Sequence, residues 1–145
     1  MIANELIMAL NSGSPTPEKT CDTVKCGDAQ REIKRVAVSM IGTAEVIRKV
    51  HEWGADMLIV HEPLYYNHMD VAADDPVTRA KQTLVSERDM VIYRYHDHMH
   101  GKGVDEIPEG ELHYLGLKGT LEKSPATTSN VNERLCRVKQ LLMEN

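Results

Sequence analysis

The order of apolar and polar positions predicts alternating helices and short strands up to about residue 100. Apolar side chains in 2–10 recur every three or four positions, and the loop-forming sequence NSGSPTP follows them. Thr43 and Asp75 stand where N-caps are expected, and Gly54 fits the end of a helix. The predicted elements are helices over 2–10, 43–54 and 76–89, strands over 34–40, 56–60 and 90–95, and an irregular connection over 11–31.

This alternation of strands and helices predicts an α/β layered fold with a largely parallel sheet built from helix-strand units. Ligands of such sheets collect at the carboxyl ends of the strands. His61 and Glu62 follow one predicted strand, and the segment 96–100 follows the next. We therefore expect both segments to meet at one edge of the sheet.

The pattern is weaker after residue 100. The sequence IPEG over 107–110 indicates a turn, and 112–123 fits a short strand. A final helix is predicted over 129–145, with an apolar stripe formed by Leu135, Val138 and Leu142. Because the stripe runs to the last residues without a C-cap, we expect the chain to be part of a longer protein.

Composition excludes several classes of function. A length of 145 residues with 41% apolar content suits one α/β domain over 1–145, and a net charge of −5 argues against nucleic-acid binding. No apolar run is long enough for a membrane helix and the first residues do not resemble a leader, so a soluble cytoplasmic protein is expected. The sequence has no dinucleotide-binding, P-loop or G-x-S-x-G motif. Its three cysteines match no zinc finger, so we expect reduced, largely buried thiols.

The sequence 96-HDHMH-100 predicts a metal site, since imidazole and carboxylate are the ligands of Zn, Mn, Fe or Ni. A helical turn would place His96 and His100 on one face, whereas an extended backbone would align both with His98. Asp97 fits either a ligand or the acceptor that fixes a histidine tautomer. Pro63 disfavours helical geometry at Glu62, so that His61 and Glu62 should point in opposite directions.

Other interpretations of the histidines stay open at this point. Crowded imidazoles at 96–100 would also suit a solvated loop that scavenges metals without a function. His51 and His113 fit ordinary structural residues better than ligands. His68 fits two roles equally well: it could be an outer metal ligand, or it could position Tyr66 and Asn67.

The segments GADMLIVHEPLYYNHMD (54–70) and VIYRYHDHMH (91–100) resemble the dinuclear-metal family of GTP cyclohydrolase I type 2 homologues, also called Nif-three-like proteins. The likeness covers nearly the whole chain as the N-terminal half of such a protein. The family has two histidines before the proline, where this chain has His61 and Glu62. It also has a histidine and, four positions later, an aspartate, where this chain has His96 and His100. These departures match a divergent branch with H-E-P and R-Y-H-D-H motifs.

The resemblance implies a site of one or two divalent ions, Zn, Mn, Fe or Ni, with His61, Glu62, His96 and His100 as ligands from this half. It also implies that a C-terminal half supplies a further histidine and glutamate. Family members assemble into toroidal homo-oligomers, typically hexamers, so the expected partners are further copies of the chain or the missing half.

Two functions follow from this ligand set. The first is a metal-dependent hydrolase, in which Glu62 or Asp97 is the catalytic proton carrier. The second is a non-enzymatic metal-binding scaffold or regulatory protein, incomplete without its C-terminal half. A third, inactive fragment would expose the apolar stripe of its last helix.

Overall fold

A computed structural model of the chain describes residues 1–65, 67–102 and 105–118. The chain divides into two compact units, Met1–Gly103 and Val104–Asn145. The first unit contains the sheet and all of the clustered histidines. One domain over 1–145 stays a prediction.

The secondary structure of the first unit alternates as expected. Its helices are α1 (Ala3–Asn11), α2 (Ala44–Glu52), α3 (Pro76–Ser86) and α4 (Asp97–Gly101), and its strands are β1 (Val24–Cys26), β2 (Val36–Ser39), β3 (Met57–Val60) and β4 (Val91–Arg94). None of the helices in the described ranges is long and apolar enough to cross a membrane.

The strands form one sheet in the order β1-β4-β3-β2. The pairs β2–β3 and β3–β4 are parallel, which confirms the predicted, largely parallel sheet. The antiparallel strand β1 corrects the prediction of an irregular connection over 11–31. Val24, Lys25 and Cys26 are too few to show the alternation by which a strand is recognised. Gly27 then turns the chain at φ +83°, where a Cβ would lie only 2.5 Å from the Met90 carbonyl oxygen.

The sheet is packed between two apolar layers. On β3, Leu58 and Val60 face the layer that contains Ile47 of α2 and Leu84 of α3. The alternate residues of β3 face the layer that contains Ile7 of α1. All of β3 and β4 is buried, as a parallel strand with helices on both faces requires. The predicted layered α/β fold is confirmed.

The predicted helix starts are also confirmed. The Thr43 hydroxyl accepts a hydrogen bond from the Val46 N–H, and the Asp75 carboxylate accepts from those of Val77 and Thr78. Gly54 adopts φ +78° just after α2, the left-handed conformation typical of a helix end.

The second unit corrects the prediction for 107–118. Its described residues form α5 (Glu106–Leu115) rather than a turn followed by a strand. The Asp105 carboxylate caps this helix by accepting a hydrogen bond from the Ile107 N–H, and Pro108 is tolerated in the first turn. Gly116 ends the helix at φ +66°. The predicted helix over 129–145 lies outside the described residues.

Candidate metal centre

Two parallel strands deliver the histidine segments to one edge of the sheet. Val60 pairs with Arg94 as the last residues of β3 and β4. His61 follows the first of these strands directly, and His96 follows the second by two positions. The backbone N–H of Tyr95 donates to the Val60 carbonyl, so the two exits remain in contact beyond the strands.

The HDHMH segment is helical, which decides between its two expected geometries. α4 spans Asp97–Gly101, and the His100 N–H donates to the His96 carbonyl at 3.1 Å. His96 and His100 therefore share one side of the turn. His98 lies elsewhere, buried, with its Nδ1 2.7 Å from Asp22 and its Nε2 3.3 Å from the Thr16 hydroxyl.

Histidine rings from the two segments form one cluster. The ring centroids of His61 and His96 are 4.5 Å apart, those of His96 and His100 are 4.8 Å apart, and those of His61 and His100 are 5.1 Å apart. One ring nitrogen from each lies within 4.8 Å of the others. We call His61, His96 and His100 the histidine triad.

Backbone contacts determine which nitrogen His61 offers. Its Nδ1 is 3.1 Å from the Tyr95 carbonyl, which can only accept a hydrogen bond. Nδ1 therefore carries the proton, and Nε2 keeps a lone pair that can bind a metal ion. Burial lowers the pKa of His61, and the neighbouring His96 and His100 lower it further. The neutral, ligand-competent form is favoured.

A second group of possible ligands adjoins the triad and shares His96 with it. Its members lie within 4.8 Å of one another through one ligand atom each, and they are Cys21, His68, His96 and Asp97. Cys21 is a buried free thiol, and burial raises its pKa to about 12. His68 is exposed, with its ring centroid 5.1 Å from that of His96.

Asp22 and Asp97 join the segment before β1 to the start of α4. The Asp22 carboxylate accepts hydrogen bonds from the backbone N–H groups of His96, Asp97 and His98 at 2.8, 2.9 and 2.9 Å. In return, the Asp97 carboxylate accepts from the Cys21 N–H at 2.9 Å and the Thr20 hydroxyl at 2.8 Å. The two segments thus position each other.

These hydrogen bonds also determine the charge of the two carboxylates. Burial alone would raise the pKa of Asp22, but hydrogen bonds from His98, Asp97 and His96 bring it below its usual value. Burial opposes the ionised form of Asp97 too, yet hydrogen bonds from Cys21, His96 and Thr20 hold its pKa well below the usual range. Both side chains are therefore anionic near neutral pH.

Arg94 supports the backbone of the site from inside. Its side chain is fully buried, with Nε donating to the His61 carbonyl at 3.0 Å and Nη1 donating to the His68 carbonyl. Its positive charge faces Asp70, whose Oδ2 is 3.6 Å from Nη1 and 3.1 Å from Lys25 Nζ. One buried guanidinium therefore holds the segment that carries His61 and His68.

A cavity of about 550 Å³ lies along the segment that follows His61, in the size range of small-molecule sites. Its wall is mostly apolar, with a few polar groups. The lining residues are Pro63, Leu64, Tyr65, Ala73, Asp75, Val77, Thr78 and Lys81. Lys81 donates to the Leu64 carbonyl and holds this wall against α3.

The structure brings together only some of the predicted site residues. His61, His96 and His100 converge, and Asp97 lies beside them. Glu62 is exposed and belongs to neither group, while His98 is turned toward Asp22. His51 and His113 are exposed, in keeping with the structural role expected of them.

Sequence reasoning missed Cys21, Asp22 and Arg94. Cys21 and Asp22 lie in a segment whose apolar residues show no helical or strand spacing. Their contacts to α4 span more than seventy residues. Arg94 carried a usable signal, since a charge inside an apolar strand run is rarely buried without a partner.

Comparison with known proteins identifies relatives of this architecture. The model of the Duf34/NIF3 (NGG1p interacting factor 3) family matches residues 5–134. Reduced HcgD from Methanocaldococcus jannaschii is 25% identical, with a TM-score of 0.57 over 68% of this chain and 41% of its own. A Bacillus cereus protein related to NIF3 is 22% identical, with a TM-score of 0.66 over 88% of this chain and 35% of its own. No curated protein matches the chain.

Proposed function

The chain belongs to the Duf34/NIF3 family, and within it we propose that this protein binds a divalent metal ion through His61, His96 and His100. The convergence of these three imidazoles carries the proposal. They come from two parallel strand exits, and their ligand atoms lie within 4.8 Å of one another.

The environment of the triad suits a cation. Three imidazoles at centroid distances of 4.5 to 5.1 Å would repel one another if protonated, and the lowered pKa of His61 opposes that state. Neutral imidazole is the form that binds metal, and among the expected ions it suits Zn, Fe and Ni best. The Tyr95 carbonyl orients the ring of His61, as carbonyls do for many metal-binding histidines.

Metal content tests the proposal. Protein purified without an affinity tag should carry divalent metal, and a His61→Ala, His100→Ala double variant should lose it. Mutation of residues that only orient metal ligands typically lowers metal affinity about 10- to 100-fold. Loss of two ligands should lower it by more than that. A His51→Ala, His113→Ala double variant is the matched control, since both residues are exposed and outside the cluster. Equal metal in both variants, by elemental analysis, would contradict the proposal.

We further propose that the bound ion supports hydrolysis. A divalent ion with open coordination positions lowers the pKa of a bound water and polarises a phosphoryl group or ring carbon. The proton carrier is better assigned to Glu62 than to Asp97. Asp97 has a strongly lowered pKa and is engaged by hydrogen bonds, whereas Glu62 is exposed beside His61.

A substrate panel tests this step. Nucleotides, phosphoesters and cyclic amides should be assayed with Mn, Zn, Fe and Ni, and the active pair repeated with His96→Ala and Glu62→Gln. We expect His96→Ala to abolish turnover and Glu62→Gln to lower kcat by about 100-fold or more with metal retained. Turnover that survives His96→Ala would refute the hydrolase.

The remaining coordination positions belong, in this proposal, to water and to side chains of a C-terminal half or of another copy of the chain. The chain spans 41% and 35% of the two solved relatives, which leaves length in them for such a half. The same elemental analysis tests whether a second half is needed. Metal retained by this chain alone would show that a second half is dispensable for binding.

A further inference from the structure

We propose that Cys21, His68, His96 and Asp97 form a second cation position, selective for thiophilic ions such as Zn²⁺, Co²⁺ and Fe²⁺. The inference deepens the proposed function and rests on it, because this position and the histidine triad share His96. We call it the thiolate position.

The ligand set differs from the triad in kind. The triad offers nitrogen alone, whereas these four residues offer sulfur, nitrogen and carboxylate oxygen. Sulfur favours Zn²⁺, Co²⁺ and Fe²⁺ over Mn²⁺ and Mg²⁺, which prefer oxygen. The two positions should therefore differ in the metals they select.

The fold places Cys21 at this point through backbone contacts. Its N–H donates to Asp97 Oδ2 at 2.9 Å, so the thiol is tied to the start of α4. Asp97 Oδ1 lies 2.9 Å from His96 Nδ1. Through these two hydrogen bonds Asp97 fixes the Cys21 backbone and the His96 ring relative to each other.

The thiolate position has a buried and an open side. Cys21 is 1% exposed and His68 is exposed, so an ion would enter past His68 and meet the sulfur last. As the sulfur–metal bond forms, the thiol proton leaves for solvent and the sulfur donates a lone pair to the ion. No oxidation or reduction is involved.

Sharing of His96 couples the two positions. An ion that takes His96 into the thiolate position leaves only His61 and His100 of the triad for another ion. We therefore expect Zn²⁺ or Co²⁺ bound at the thiolate position to weaken Ni²⁺ binding at the triad by at least about tenfold, within the usual range of coupling between sites.

Cobalt is the test probe, because a sulfur–cobalt bond produces a charge-transfer band in the near ultraviolet that nitrogen and oxygen ligands do not. The 145-residue chain titrated with Co²⁺ should develop this band. Cys21→Ser should lose it. A Cys26→Ser, Cys136→Ser double variant should keep it, with Cys21 as the remaining thiol; Cys26 is half-buried and donates to the Val85 carbonyl.

The double variant keeps the test decisive if Cys21→Ser does not fold. If the Cys26→Ser, Cys136→Ser variant binds Co²⁺ without the band, the thiolate position is overturned. A band that survives in folded Cys21→Ser overturns it as well. The His61→Ala, His100→Ala variant separates the two proposals. A sulfur band retained there supports the thiolate position, even if metal content shows the triad to be empty. Bound Co²⁺ without a band in the unmodified chain defeats only the thiolate position, and no bound Co²⁺ defeats both.

Discussion

Asp22→Ala is expected to lower the free energy of unfolding by about 3 kcal/mol or more, since each buried donor left without an acceptor costs about 1–3 kcal/mol. The Asp22 carboxylate serves the backbone N–H groups of His96, Asp97 and His98, together with His98 Nδ1. Alanine removes this acceptor from the buried start of α4. Urea unfolding followed by circular dichroism measures the loss.

Two further variants separate the role of Asp22 from a general effect of losing an aspartate. Asp22→Asn keeps one acceptor oxygen and should cost less than alanine. Asp28→Ala is the control, because Asp28 is exposed and its carboxylate accepts a hydrogen bond from the Gln30 N–H in the same turn. A loss for Asp22→Ala no larger than that for Asp28→Ala would contradict the prediction. Under the proposed function, folded Asp22→Asn should also bind metal about 10- to 100-fold more weakly, as expected for residues that orient ligands.

Arg94→Met is expected to cost about 3–5 kcal/mol, the usual penalty for removing one partner of a buried ion pair. The variant leaves the His61 and His68 carbonyls without the guanidinium and Asp70 with Lys25 as its cation. The segment between β3 and α3, which carries His61 and His68, loses its internal support. Thermal and urea unfolding should therefore show a loss comparable to that of Asp22→Ala.

The matched control is Arg79→Met. Arg79 forms an exposed ion pair with Asp74, and such pairs contribute about 0–1 kcal/mol. In addition, Asp70→Asn should lower the free energy of unfolding less in the Arg94→Met variant than in the unmodified chain. In that variant the Asp70 carboxylate has already lost the positive charge of Arg94. Equal losses for Arg79→Met and Arg94→Met would show that the buried guanidinium contributes little.

Much of the fold was predictable because its signals are local. Thr43 and Asp75 each mark a helix start through a side chain that caps the next few residues. The strands β3 and β4 are continuous apolar runs, as burial on both faces demands. β1 lacks such a signal, since its three residues become a strand only by pairing with β4. At α5, Pro108 suggested a turn, but a proline in the first turn of a capped helix is compatible with helix.

The candidate site was predictable in part for the same reason. His61, His96 and His100 were found because histidines follow adjacent strands, and parallel strands end at one edge. His98 was grouped with them because sequence alone does not show which side of a short helix faces Asp22. Cys21 and Asp22 reach the site through contacts formed only in the folded chain, so no spacing pattern marks them.

The exchange of hydrogen bonds between Asp22 and Asp97 also has a consequence for folding. It joins segments 75 residues apart, so α4 gains its cap only after the chain has closed a long loop. We therefore expect the ligands to come together late in folding. An ion held there would act mainly on the finished structure, slowing its unfolding while leaving the folding rate almost unchanged.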